Sequence, residues 1–131
     1  IKPVESRISE FCTTLTGWTQ DRVDANGIGF EDALELLVNN YDSKRFPWGS
    51  YGDYDKNMFI RQCNRRKLEY PFSNEHTNIK ELLRKKNFKI KGLQSALREF
   101  GLTFVGRHHN GLDDAINISS VYAKHVIKYG G

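Results

Sequence analysis

The sequence has little cysteine, little proline and no long apolar run. Its two cysteines, Cys12 and Cys63, stand far apart without a C-x-x-C spacing. This argues against a structural zinc site and leads us to expect an intracellular protein, cytoplasmic or nuclear. No apolar stretch approaches the length of about 18 residues that a transmembrane helix requires, so we expect no membrane contact. The first residues also lack the basic head and apolar core of a signal peptide.

Several common site motifs are also missing. The chain contains no G-x-S-x-G, no Walker A sequence and no G-x-G-x-x-G. A serine-hydrolase elbow, a P-loop and a dinucleotide-binding turn are therefore not predicted.

Positive charge is in modest excess and unevenly distributed. The net charge is +4, and basic residues crowd residues 61–67 and 80–91. A nucleic-acid partner is compatible with this distribution. A solvated helix face is the commoner explanation of any single run of this kind, and the charge pattern excludes neither interpretation.

Hydrophobic periodicity predicts mostly helices in a chain of 131 residues, which is long enough for one domain with a real core. Glycines 27 and 29 precede the first strong helical pattern, and Asn78 with Glu81 resembles a capping box. We predict helices beginning near residue 30 and over 55–66, 78–86, 93–100 and from 112 onward, a loop over 43–47, and short strands within 48–54 and 68–72. The predicted core face of the last helix comprises Leu112, Ala115, Ile116, Ala123, Val126 and Ile127.

The most informative stretch runs from Gly106 to Ile118 and reads GRHHNGLDDAINI. A histidine on a glycine-flanked turn is followed by a helix with two acids, Asp113 and Asp114, in its first turn. Helix capping explains such acids by itself, because the helix dipole favours negative charge there. The same geometry would let an aspartate bind a hard cation while the histidine takes a proton from water.

A second acidic stretch reads SYGDYD over residues 50–55. Asp53 and Asp55 stand where a strand passes into a helix, a position at which α/β proteins often place ligand groups. An N-cap aspartate is the alternative. The adjacent aromatic, Tyr54, suits either a stacked nucleobase or core packing.

These motifs, together with TTLTGWTQ over residues 13–20, resemble in order and spacing the DEDDh exonucleases, the DnaQ-like group of the ribonuclease H-like superfold. The similarity covers essentially the whole chain and is greatest to the branch of 3′ exonucleases that trim histone mRNA and small interfering RNA. It implies an α/β fold with three layers, formed by a single exonuclease domain over residues 1–131.

The resemblance also implies the site residues. The third family acid matches Asp55, the general-base histidine matches His109 and the fourth acid matches Asp114, with Asp53 and Asp113 secondary. Tyr54 matches an aromatic that packs on the terminal base. The segment that lies near the 3′-terminal nucleotide in the family matches Phe11, Leu15 and Thr16.

The departure from the family lies at the start of the chain. The family's first two acids form a D-x-E pair on a first strand, and no D-x-E occurs here. We therefore expect an N-terminally incomplete domain that lacks its first strands. By itself it should be inactive and should not fold stably as a monomer.

The resemblance implies hydrolysis of RNA, or of DNA, from the 3′ end, with two Mg²⁺ or Mn²⁺ ions and nucleoside 5′-monophosphates as products. One ion would acidify the attacking water and the other would stabilise the leaving oxygen. Two alternatives remain: a nucleic-acid-binding pseudoenzyme without the first two acids, and a scaffold that keeps only the fold. The oligomeric state is not predicted.

Overall fold

The computed structural model describes residues 1–3 and 6–130. Helices dominate it, as the periodicity predicts. The helices are α1 (Glu10–Thr16), α2 (Gln20–Asn26), α3 (Phe30–Tyr41), α4 (Tyr54–Arg66), α5 (Ile79–Lys86), α6 (Leu93–Glu99) and α7 (Gly111–Tyr129), and the strands are β1 (Trp48–Ser50) and β2 (His76–Asn78). None of the helices in the described part of the chain is both long and apolar enough to span a bilayer.

The chain forms two compact units. The first contains Ile1–Trp48 and Asp53–His76, and the second contains Gly49–Gly52 and Thr77–Gly131. Strands β1 and β2 pair as a two-stranded sheet. Each unit has its own apolar core.

The first unit is built on α3 and α4. Phe30, Leu34 and Cys63 are buried, with Phe59 and Leu68 packed against them. An aromatic cluster continues this core: Trp48 stacks on Phe72 at 4.2 Å between ring centroids, and Phe59 meets Phe72 edge to face at 5.0 Å. Such pairs contribute about 0.5–1.5 kcal/mol beyond the burial of their area.

The second unit packs α5, α6 and α7 around one cluster. Its buried members are Ile79, Leu83, Ile90, Ala96, Leu97 and Val121. The predicted capping residue of α5 is confirmed, because Asn78 accepts a hydrogen bond from the Glu81 backbone at 3.0 Å. Gly101 follows α6 with a φ of +68°, which is the left-handed conformation expected just after a helix.

The strand predictions are only partly right. Strand β1 stops at Ser50, because Gly52 bends the backbone with a φ of +100° and α4 begins at Tyr54. Residues 68–72 form no strand. Pro71 has no N–H to donate, and the aromatic side chain of Phe72 packs on Trp48. The paired strand is His76–Asn78 instead.

The predicted core face of α7 is wrong. The helix buries Asn117, Val121 and His125, which lie four residues apart on one face. Leu112 and Ile127 are instead 71% and 81% exposed. The neighbouring elements of this unit meet the helix on its more polar face, and periodicity alone could not show which face they cover. On α4, Ile60 is likewise exposed, although Phe59 and Cys63 of the same helix pack into the core.

Candidate active site

A short loop places two neighbouring histidines of the second unit, His108 and His109, just before the start of α7. Gly106 adopts a φ of +94°, and His109 a φ of +67°, both in the left-handed region. Asn110 then caps the helix, and its side chain accepts a hydrogen bond from the Asp113 backbone at 3.3 Å. Asn110 therefore occupies the N-cap position, which leaves the two acids of the first turn for other contacts.

Both acids bond backward to the loop. Asp113 Oδ2 accepts the backbone N–H of Arg107 at 2.8 Å, and Asp114 Oδ1 accepts the backbone N–H of His109 at 3.1 Å. Within the described part of the chain, no hydrogen bond uses the second carboxylate oxygen of Asp114. The structure thus places an exposed His109 beside a half-buried Asp114.

The two neighbouring histidines have different surroundings. His108 is half-buried, packs against the ring of Phe104 at 5.0 Å and shares a hydrogen bond with the Gln94 side chain at 3.2 Å. His109 is exposed and meets His108 edge to face at 4.2 Å. His109 is therefore the more solvent-exposed of these two histidines.

Asn117 anchors this loop to the helix. Its side chain is 2% exposed, and its Oδ1 accepts the backbone N–H of Val105 at 2.9 Å. Its Nδ2 donates to the carbonyls of Val105 at 2.7 Å and Asp113 at 2.6 Å. The sequence analysis assigned Asn117 no role. Its position four residues after Asp113, on the same helix face, was the available signal.

In the first unit, the other candidate residues start α4. Asp53 occupies the N-cap position without a side-chain capping bond, and Asp55 lies in the first turn. Both acids are exposed, and Tyr54 between them is 71% exposed. The exposure of Tyr54 excludes the core-packing interpretation and leaves its ring accessible to a ligand.

His76 is a neighbour of these acids that the sequence analysis missed. Its side chain is 4% exposed, its Nδ1 lies 3.8 Å from Asp53 Oδ1, and its ring contacts Trp48 edge to face at 4.5 Å. Burial lowers the pKa of His76, and Lys56 lowers it further, against the opposing pull of Asp53 and Asp55. Only its place in a short polar strand could have indicated it.

The segment Phe11–Gly17, which includes the three residues matched to the family's 3′-terminal segment, lies largely within helix α1. Ser9 caps its start and Gly17, with a φ of +85°, ends it. Phe11 is 72% exposed and Leu15 38% exposed. Thr16 uses its hydroxyl locally, donating to the Cys12 carbonyl at 2.8 Å and accepting from the Trp18 backbone at 3.2 Å. An apolar helix surface is therefore open to solvent in this unit.

Of the predicted site residues, the structure brings His109 and Asp114 together. Asp55 belongs to the other unit, and its convergence with them stays a prediction. Carboxylate oxygens are suitable ligands for Mg²⁺ or Mn²⁺. However, no three His, Cys, Asp or Glu residues in the described ranges cluster as a complete metal site. Asp55 and Asp114 each carry oxygens of this kind at the start of a helix, and their role as metal ligands stays a prediction.

Comparison with known proteins adds independent information. A family model described as Exonuclease (RNase_T) matches residues 1–122. The chain is 34% identical to 3′-5′ exoribonuclease 1 of Rattus norvegicus, over 90% of this chain and 37% of that protein. It thus spans well under half the length of this relative.

Two solved structures share the fold. The nuclease domain of 3′hExo, a DEDDh family member bound to rAMP, superposes with a TM-score of 0.81 at 26% identity, covering 98% of this chain and 69% of that one. A 3′-exonuclease solved for its 3′-end-specific recognition of a histone mRNA stem-loop gives a TM-score of 0.76 at 25% identity, covering 98% and 61%. The fold is therefore the α/β, ribonuclease H-like fold of DEDDh exonucleases, as predicted.

Proposed function

Since this chain belongs to the RNase_T exonuclease family, we propose that the protein carrying it is a 3′-to-5′ exonuclease that hydrolyses RNA and releases nucleoside 5′-monophosphates. The observation that carries the proposal is the hydrogen bond from the His109 backbone to the Asp114 carboxylate. It fixes the backbone of an exposed histidine beside a carboxylate at the start of a long helix. The exoribonuclease relatives and the RNA bound to the 3′-exonuclease support RNA as the substrate.

In this proposal His109 is the general base. Its exposed ring can accept a proton from the attacking water, a role that contributes about 10²–10⁴-fold in rate. The left-handed backbone at His109 and the bond from its N–H to Asp114 fix the backbone position from which the exposed side chain extends. His108 cannot share this role, because its ring packs on Phe104 and bonds to Gln94.

Asp55 and Asp114 would be ligands of divalent cations, Mg²⁺ or Mn²⁺, with two ions in the complete site. DEDDh exonucleases generally use divalent metal ions. Such ions acidify a bound water and neutralise charge on the phosphate. Both aspartates stand in the first turn of a helix, where negative charge is commonly found because the helix dipole favours it.

Tyr54, Phe11, Leu15 and Thr16 would hold the 3′-terminal nucleotide. Tyr54 and Phe11 are the strongest candidates for base contact, since both rings are more than two-thirds exposed. Stacking on such a ring contributes about 1–3 kcal/mol per base. Thr16 would act through its place at the end of α1, because its hydroxyl already bonds within the chain.

The test is hydrolysis of an unstructured RNA by the complete protein in Mg²⁺ or Mn²⁺. We expect stepwise shortening from the 3′ end, release of nucleoside 5′-monophosphates and loss of activity in EDTA. His109→Ala should lower the rate by about 10²–10⁴-fold, while metal affinity stays unchanged because His109 contacts water and not the ion. Asp114→Asn should weaken metal binding as well as the rate.

His108→Gln is the matched control, since it changes the adjacent histidine without touching the proposed base. It should retain most of the activity. Full activity of His109→Ala would remove this residue from the mechanism. RNA binding without any hydrolysis in the complete wild-type protein would instead favour a pseudoenzyme.

A further inference from the structure

The connection between α5 and α6, within the second unit, is a well-braced turn. Asn87 organises it: its carbonyl accepts the backbone N–H of Ile90 at 3.1 Å, and its Oδ1 accepts that of Lys89 at 3.0 Å. The Asn87 amide also donates to the Glu99 carboxylate at 3.0 Å. Ile90 is 2% exposed and belongs to the core. The turn is therefore anchored at both of its ends.

The ring of Phe88 in this turn extends into solvent. Phe88 is 79% exposed, whereas Ile90, two residues later, occupies the core. A single exposed hydrophobic residue is ordinary in proteins. What distinguishes Phe88 is the combination of a rigid turn beneath it and the chemistry of its sequence neighbours.

Those neighbours are strongly basic. Residues 85–91 read KKNFKIK, with four lysines and no acid among seven residues. Lys85, Lys89 and Lys91 are exposed and take part in no ion pair within the described ranges. Lys86 has a partner, because its Nζ lies 5.2 Å from the Tyr129 ring centroid. Like charges this close in sequence repel one another, and an anionic partner would relieve that repulsion.

An aromatic face flanked by cations matches the needs of single-stranded nucleic acid. Bases of any sequence stack on an exposed ring, and lysines neutralise the phosphates on either side. A protein partner with an acidic surface would satisfy the lysines, but a strand that alternates bases with phosphates satisfies the ring and the lysines together. The combination therefore favours an unpaired strand over a protein.

We propose that the Phe88 turn, residues 85–91, is a second contact for single-stranded RNA, separate from the residues that hold the 3′-terminal nucleotide. A base would stack on Phe88, and the neighbouring phosphates would pair with Lys85, Lys89 and Lys91. This inference rests on the proposed function for the identity of the strand. It concerns binding only and assigns no chemistry to the turn.

The test measures binding by the complete protein to a long unstructured RNA and to a dinucleotide, both blocked by a 3′-phosphate. Phe88→Ala should weaken binding of the long RNA about 5- to 150-fold and leave dinucleotide binding unchanged. Phe88→Trp should restore it, because an indole also stacks. The double variant Lys85→Ala with Lys89→Ala should reduce the dependence of log Kd on log salt by about 0.7 per lysine removed.

Lys124→Ala is the control, since Lys124 is an exposed lysine of α7 in the same unit. Equal affinities of wild type, Phe88→Ala and Lys124→Ala for the long RNA would overturn the inference. So would an equal loss for both RNA lengths, or a loss that Phe88→Trp does not restore. Binding that depends on Phe88 in a protein that hydrolyses no RNA would uphold the inference and refute the proposed enzyme.

Discussion

Asn117 is the residue whose replacement best tests how the fold supports the candidate active site. We expect Asn117→Ala to destabilise the protein and to lower its exonuclease rate together. The side chain is buried and makes three hydrogen bonds of 2.6–2.9 Å to the backbone of Val105 and Asp113. Through Val105 it holds the segment that leads, by way of Gly106, to His109.

The magnitude follows from these contacts. Each hydrogen bond contributes about 0.5–1.5 kcal/mol net, so the three together set a range of about 1.5–4.5 kcal/mol. Val105 is 70% exposed, so water can replace part of what its peptide groups lose. Alanine also favours the helix by up to about 0.7 kcal/mol. We therefore expect a loss of about 1.5–3 kcal/mol in the free energy of unfolding.

The assay combines urea unfolding of the complete protein with hydrolysis of a short RNA. Because the loop carries His109, its release should lower kcat by up to about 10²-fold, with a smaller effect on KM. Ser120→Ala is the control: this exposed residue of α7 makes one local bond, to the Ile116 carbonyl at 3.1 Å. This substitution should leave the free energy of unfolding and kcat nearly unchanged.

A loss below about 0.5 kcal/mol, within the range of ordinary surface substitutions, would refute the view that Asn117 anchors the loop. The expected loss in the free energy of unfolding together with an unchanged kcat would show that Asn117 stabilises the unit without positioning His109.

Three further predictions concern single positions. Gly106→Ala should destabilise by about 2–4 kcal/mol and reduce activity, because a Cβ at a φ of +94° would lie 2.5 Å from Asp113 Cγ; Gly111→Ala, with open space around it, is the control in the same unfolding assay. Tyr54→Ala should raise KM for RNA with little loss of stability, since its ring is largely exposed; an unchanged KM and kcat would remove it from the binding site. The lowered pKa of His76 means that the unfolded state binds a proton more readily. Stability should therefore fall as pH drops below about 6.5 and level off below the folded-state pKa, and unfolding of His76→Gln should show a weaker pH dependence over that window.

Local sequence chemistry was sufficient for most of the helices. Asn78 with Glu81 three residues later marked the start of α5, and the glycines before Phe30 marked the start of α3, because capping and breaking signals act over a few residues. The short strands were harder. Strand pairing depends on which distant segment lies alongside. The aromatic run around Phe72 has the same composition whether it pairs as a strand or only packs its side chains into the core.

In the candidate site, too, the sequence predicted what depends on neighbouring residues and not what depends on tertiary contacts. The motif predicted that His109 and Asp114 act together, and in the structure the His109 backbone donates a hydrogen bond to the Asp114 carboxylate. The catalytic roles of the two side chains stay predictions. The motif did not reveal that Asn110 occupies the helix cap, which leaves both acids to bond to the loop. Three expectations stay predictions: that Asp55 converges with these residues, that the chain forms a single domain, and that the aspartates bind metal ions.

The sequence by itself determined the family, the helical character of the chain and the identity of the candidate catalytic residues, because each depends on residue types at short spacing. Only the tertiary structure decided which face of α7 is buried. The apolar stripe with Leu112 and Ile127 looked like the core face, yet the helix buries Asn117 and His125. Burial depends on what other elements bring to a surface, and a buried polar group is tolerated where the fold supplies hydrogen-bond partners, as Val105 does for Asn117.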